Sequence, residues 1–109
     1  MAVEMSDHHP RHPAVEELEL PAVLHALSDP IRLGIVHELA DHGACNCGTF
    51  AVPVAKSTLS HHLRVLREAG ITLTEPTGTQ RVVSLRRAEL DARFPGLLDA
   101  VLAAAPVPV

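Results

Sequence analysis

Three groups of residues in this 109-residue chain have types and spacings suited to chemistry. Cys45 and Cys47 are the only cysteines and are separated by one residue. Thiolates that close together are soft ligands for copper(I), zinc, cadmium or arsenic(III), and neighbouring thiols can also oxidise in sequence. A structural disulfide is not expected from such a pair in a short cytosolic chain. His8, His9 and His12, with Glu4 and Asp7 nearby, combine imidazole and carboxylate as nickel, zinc or copper sites do. The third group is Lys56, Ser57, Thr58, Ser60, His61 and Arg64, whose hydroxyl, imidazole and basic groups suit phosphate oxygens and base edges. No Ser/His/Asp or Cys/His arrangement, glycine-rich phosphate loop or HExxH spacing is found, so an enzyme is not expected.

Composition narrows the partners. A chain with 47% hydrophobic and 20% charged residues is expected to form one packed domain. Phe50 and Phe94 are the only aromatics, too few for platforms that stack single-stranded bases, whereas duplex readers need none. No apolar run approaches a membrane span and the N-terminus is acidic and His-rich, so the expectation is a cytoplasmic protein without a membrane partner or small-molecule substrate. The net charge of −4 is unevenly spread: residues 1–55 hold two basic and eight acidic residues, and residues 56–109 hold seven and five. The positive half is the one that carries the hydroxyl-rich run.

The elements that must position these groups follow from periodicity. Residues 1–13 are polar and aperiodic and read as a flexible His-containing arm; 14–104 read as the folded domain and 105–109 as a frayed tail. Leu20, Val23, Leu24 and Leu27 share a helical face, with Pro21 in a first turn. Ser28-Asp29-Pro30 starts a second helix with Ile31, Ile35, Val36 and Leu39 as its apolar stripe and Gly43 at its end. A short helical turn is expected around Thr49–Val52. A stronger helix is expected from Ser57 to about Glu68, stopped by Gly70; Leu59, Leu63 and Leu66 face one way, and Ser57, His61 and Arg64 the other. His62, beside the leucines, reads as a packed, hydrogen-bonded histidine. Residues 71–75 and 80–85 alternate as a hairpin about Pro76-Thr77-Gly78-Thr79, with Gln80 and Arg81 near its tip; Arg86 and Arg87 read as solvated rim residues. A final helix follows Pro95, with Leu97, Leu98, Val101 and Leu102 as its stripe. This order is mainly α with a small β-hairpin wing, a winged helix-turn-helix.

Residues 27–33 (Leu-Ser-Asp-Pro-Ile-Arg-Leu) and 56–70 (Lys-Ser-Thr-Leu-Ser-His-His-Leu-Arg-Val-Leu-Arg-Glu-Ala-Gly) resemble the ArsR/SmtB family of bacterial regulators, over roughly residues 18–102. The resemblance implies a homodimer that binds a double-stranded DNA operator, usually as a repressor, until a metal ion or oxidant releases it. Lys56, Ser57, Thr58, Ser60, His61 and Arg64, with Gln80 and Arg81 on the wing, are then the DNA-binding residues. Some members carry a Cys-x-Cys just before the reading helix, which makes Cys45 and Cys47 the candidate sensing thiols or metal ligands. Here Gly43 and Gly48 flank the pair, whereas those members set it inside a Glu-Leu-Cys-Val-Cys-Asp-Leu helix. His8, His9 and His12 are the alternative ligands, since other members use N-terminal residues; the final-helix Asp and His pattern of a third type is missing. Dimerisation through the terminal helices would cover their apolar stripes. The competing expectation is a metal-binding or thiol-redox protein with no DNA-binding role.

Overall fold

The computed structural model describes residues 11–46, 50 and 54–104. In order, these form a short 3-10 turn at Val15–Glu17, then α1 (Leu20–Ala26), α2 (Pro30–His42), β1 (Cys45–Asn46) and α3 (Lys56–Glu68). The wing strands β2 (Thr72–Thr77) and β3 (Gln80–Leu85) follow, and α4 (Arg87–Arg93) and α5 (Leu97–Ala104) complete the fold. The winged helix-turn-helix order expected from the sequence is the one observed.

Each boundary has a local cause. The Asp29 carboxylate accepts the backbone N–H of Ile31 at 2.8 Å and of Arg32 at 3.1 Å, a cap worth about 1 kcal/mol, and Pro30 supplies a preset first turn. Helix α3 starts at Lys56, one residue before the expected Ser57, after the extended backbone of Ala55, which offers no capping side chain. Its end is a Schellman turn: the Ile71 N–H reaches the Leu66 carbonyl and the Gly70 N–H reaches that of Arg67, each at 3.0 Å. Gly70 sits at φ +88°, and a β-carbon there would overlap the Leu18 side chain.

The wing differs from the expected hairpin in two respects. Strand β2 continues through Pro76 and Thr77 to pair Thr77 with Gln80, leaving a two-residue turn of Gly78 and Thr79. Pro76 is tolerated because β2 is an edge strand, so its missing N–H interrupts no ladder on the outer side. Gly78 takes φ +64° at the first turn position, as a II′ hairpin turn requires. The unexpected third strand is β1, which pairs Cys45 with Val83 and Asn46 with Val82. Two residues are too short to show an alternating pattern. The expected turn around Thr49–Val52 lies outside the described residues, apart from the buried Phe50.

The core is a single cluster in which Leu18, Val23, Ile35, Val36, Leu66, Ile71 and Val83 are almost fully enclosed, with Leu90 and Leu98 from the C-terminal helices. Arg93 Nε donates to the Leu18 carbonyl at 2.9 Å and ties α4 to the segment before α1. On α1 the expected stripe divides: Val23 and Leu27 are buried, but Leu20 and Leu24 are 41% and 47% exposed.

Gly70→Ala must strain a left-handed backbone and displace Leu18, so it is expected to cost about 2–4 kcal/mol. Gly78→Ala meets open space and is expected to cost about 1 kcal/mol for its φ alone. Denaturant unfolding of the two variants checks the order; equal costs would contradict the packing of Leu18 against the α3 turn.

Candidate nucleic-acid interface

The burial pattern of α3 sorts its side chains by function. Leu66 and His62 are buried, Leu59 and Leu63 pack partly against the core, and Lys56, Ser57, Thr58, Ser60, His61 and Arg64 are all exposed. The exposed face borders two grooves. One, of about 450 Å³, runs between α3 and the wing and is lined by Ser57, Ser60, His61, Arg64, Arg67 and Arg81 above a floor of Leu63, Thr74 and Val83. The other, of about 670 Å³, brings Lys56 and Ser60 to the hairpin tip at Thr79, Gln80 and Arg81. Thus seven of the eight residues expected to bind DNA line one groove or the other, and Thr58 is exposed but lines neither. The first groove carries three guanidinium groups and no carboxylate among its described lining, so its field favours an anion.

Arg67 contributes to the groove beyond the residues expected from the sequence. Arg67 is half-buried and its Nε has no hydrogen-bond partner among the described residues, although it lines the groove. Its place one turn after Arg64 was the available signal. Arg86, expected as a solvated rim residue, is instead buried and pairs with Glu89 at 2.7 Å. That hydrogen bond holds the Glu89 carboxyl below its usual value despite the opposing effect of burial. Arg87 is exposed and pairs with Asp91 and Asp99. Neither side chain lines the grooves beside α3.

His62 is packed and hydrogen-bonded as expected, and its partner is Arg32. The Arg32 Nη1 lies 3.1 Å from His62 Nδ1, and the Asp29 carboxylate is 3.9 Å from the same nitrogen. Burial pushes the Asp29 carboxyl up, but the backbone N–H groups of Arg32 and Ile31 and the nearby His62 and Arg32 outweigh it and hold it below the ordinary value.

The candidate ligands are placed only in part. Cys45 is half-buried in β1 and its thiol donates to the Gly43 carbonyl at 3.4 Å. Burial first, then the Glu38 carboxylate, push that thiol up, which favours S–H over thiolate at neutral pH. Cys47, His8 and His9 lie outside the described residues. Among the described residues no group of three or more His, Cys, Asp or Glu side chains is placed to hold a metal, so Cys45 and His12 do not by themselves form a site.

His12 is docked on the wing, with its Nε2 accepting the Thr74 N–H at 2.9 Å. Desolvation lowers its pKa, the charges of Arg67 and Arg86 lower it further, and Glu75 opposes them. The contact needs neutral imidazole, so docking is fully present above the ordinary imidazole value and is lost as pH falls through the lowered one. Corrected for intrinsic exchange, the Thr74 amide is expected to lose protection at that point in the wild type. In His12→Ala the step should vanish; its persistence would reject the contact.

Residues 27–75, from the end of α1 through α3 into the wing, match the family described as "Helix-turn-helix domain". The chain is 36% identical over 80 residues to the HTH-type transcriptional regulator YceK of Bacillus subtilis, covering 71% of this chain and 80% of that one. It is 42% identical over 62 residues to the HTH-type transcriptional regulator Rv2034 of Mycobacterium tuberculosis, covering 55% and 57%. The crystal structure of the ArsR family transcriptional regulator RHA00566 superposes with a TM-score of 0.61 at 21% identity, over 77% of this chain and 88% of that one. The protein is a transcriptional regulator of the helix-turn-helix class. Its fold is the winged helix that the ArsR family regulator also has. None of its described helices is long and apolar enough to cross a membrane.

Proposed function

We propose that the chain is a sequence-specific repressor that binds a double-stranded operator as a homodimer in the cytoplasm, with α3 in the major groove and the β2–β3 wing along the flanking backbone. The observation that carries this reading is the groove between α3 and the wing, with no carboxylate among its described lining, where Arg64, Arg67 and Arg81 converge beside the Ser57 and Ser60 hydroxyls. Arginines there suit phosphates or guanine edges, and short hydroxyls suit close approach to the duplex. Leu20 and Leu24 on α1, exposed as they are, and the partly buried Leu97, Val101 and Leu102 on α5 support pairing through the terminal helices, which would set two reading helices about one DNA turn apart. Sedimentation at micromolar concentration is expected to show a dimer, and Leu20→Glu/Leu24→Glu a monomer; a monomeric wild type would contradict the pairing.

For the regulatory input, thiol chemistry or a metal ion at Cys45 and Cys47 is the reading the position supports. Cys45 pairs with Val83, on the strand whose far end carries Gln80 and Arg81, so a change at the thiol bears directly on the wing. The alternative, a metal or thiol protein without a DNA role, leaves the exposed basic groove without a purpose.

The test is a titration of a duplex from the gene's own upstream region. Arg64→Ala and Arg81→Ala are each expected to weaken binding, and removing an arginine that meets a phosphate should reduce the salt slope by about 1. Oxidant, zinc, copper(I), nickel and arsenite are then added in turn, and Cys45→Ser/Cys47→Ser should abolish the response to the effective one. Unchanged affinity in both arginine variants would remove the groove from the interface.

A further inference from the structure

One buried side chain adds directional bonds between three helices that also share the apolar core. Arg32, in the first turn of α2, is only 7% exposed. Its Nε donates to the Ala26 carbonyl at 2.7 Å and its Nη2 reaches the His25 carbonyl at 3.4 Å, both at the C-terminal end of α1. Its Nη1 approaches His62 Nδ1, midway along α3, at 3.1 Å. Asp29 anchors the same turn from the other side by accepting the Arg32 and Ile31 N–H groups.

We propose that Arg32 is a positioning residue for DNA recognition: by bonding His62 while anchored to the end of α1, it sets the rotation of α3 about its own axis and so the aim of His61 and Arg64. The proposal rests on the reading of α3 as the DNA-facing helix. Leucine packing resists separation of helices but tolerates small rotations, because dispersion contacts have no preferred direction. A guanidinium fork is directional, and each of its N–H groups must meet its acceptor within a few tenths of an ångström. Side-chain tips lie roughly 5–6 Å from a helix axis, so a rotation of about 20° moves them about 2 Å, enough to break a base-edge hydrogen bond. His62 is the natural point of control. Its neighbour His61, whose ring centroid is 5.7 Å away, lines the groove beside the wing, and Arg64 follows two residues later. Lysine at position 32 would keep the charge and most of the volume but would lose the fork.

The experiment compares the full chain with Arg32→Lys, His62→Leu, His62→Asn and Arg32→Lys/His62→Leu. Asparagine retains an acceptor near the Nδ1 position; leucine removes it. Affinity is measured for the upstream duplex and for a scrambled duplex of equal length at several salt concentrations, with thermal unfolding alongside. Arg32→Lys and His62→Leu are expected to lose about tenfold in preference for the upstream duplex, with scrambled-duplex affinity and salt slope within twofold of wild type. The double variant should lose no more than either single one, and His62→Asn should recover most of the preference. A purely structural role would lower Tm and reduce both affinities together, which overturns the proposal, as does an unchanged preference in the folded variants. If Arg32→Lys does not fold, the contrast between His62→Leu and His62→Asn decides. A wild type that binds no duplex overturns the functional reading instead. The bridge is then judged by residual dipolar couplings of the α3 amides, which should change in His62→Leu and not in His62→Asn; unchanged couplings in both would overturn it.

Discussion

The fold depends on a single seam along α3, where Leu66 and His62 are drawn inward while Ser57, His61 and Arg64 on the opposite face stay in solvent. Apolar burial fixes which face of α3 is hidden, and the exposure of its polar residues is a consequence of that choice. The neighbouring elements serve the seam. Gly70 lets the chain turn sharply under Leu18, so that Ile71 re-enters the core and the wing begins directly beside α3. Strand β3 returns along β2 and delivers Arg81 to the groove that Arg64 and Arg67 border.

Part of the buried polar surface lies at this seam. Arg32 and Asp29 meet His62 on the inner side of α3, Arg86 is buried where β3 runs into α4, and His12 docks on β2. A buried guanidinium is costly unless its N–H groups are satisfied. Arg32 meets two carbonyls and an imidazole, which accounts for a charge being tolerated there. Arg86 is compensated by Glu89, though its Nη1 is left without a partner among the described residues. The Arg32–His62 contact is directional where the leucines are not, and it joins residues 30 apart in sequence.

Much of this is legible in the sequence alone. The helices α1, α2, α3 and α5 and the hairpin follow from period, proline and glycine, and the two faces of α3 are separable because 3.6-residue spacing is strict over 13 residues. The placement of His62 follows from its position beside the leucines. What escapes is set by tertiary pairing. Strand β1 has too few residues to carry a pattern, Pro76 is admitted only because β2 lies at an edge, and the burial of Arg86 depends on how β3 runs into α4. Arg32 reads locally as an ordinary first-turn residue, since its partner His62 is distant in sequence. His12 reads as part of a free arm, and nothing in its own neighbourhood announces the Thr74 N–H that holds it.

We propose that the exposed face of α3 and the wing together form one duplex-binding surface. Its most direct measurement is amide and arginine side-chain chemical-shift mapping by NMR as the upstream duplex is added. Perturbations should concentrate on Lys56 to Arg64, on Arg67 Nε and on Gln80 and Arg81, with α1 and α5 nearly silent. Perturbations centred on α1 and α5, with the groove residues unmoved at saturation, would contradict it.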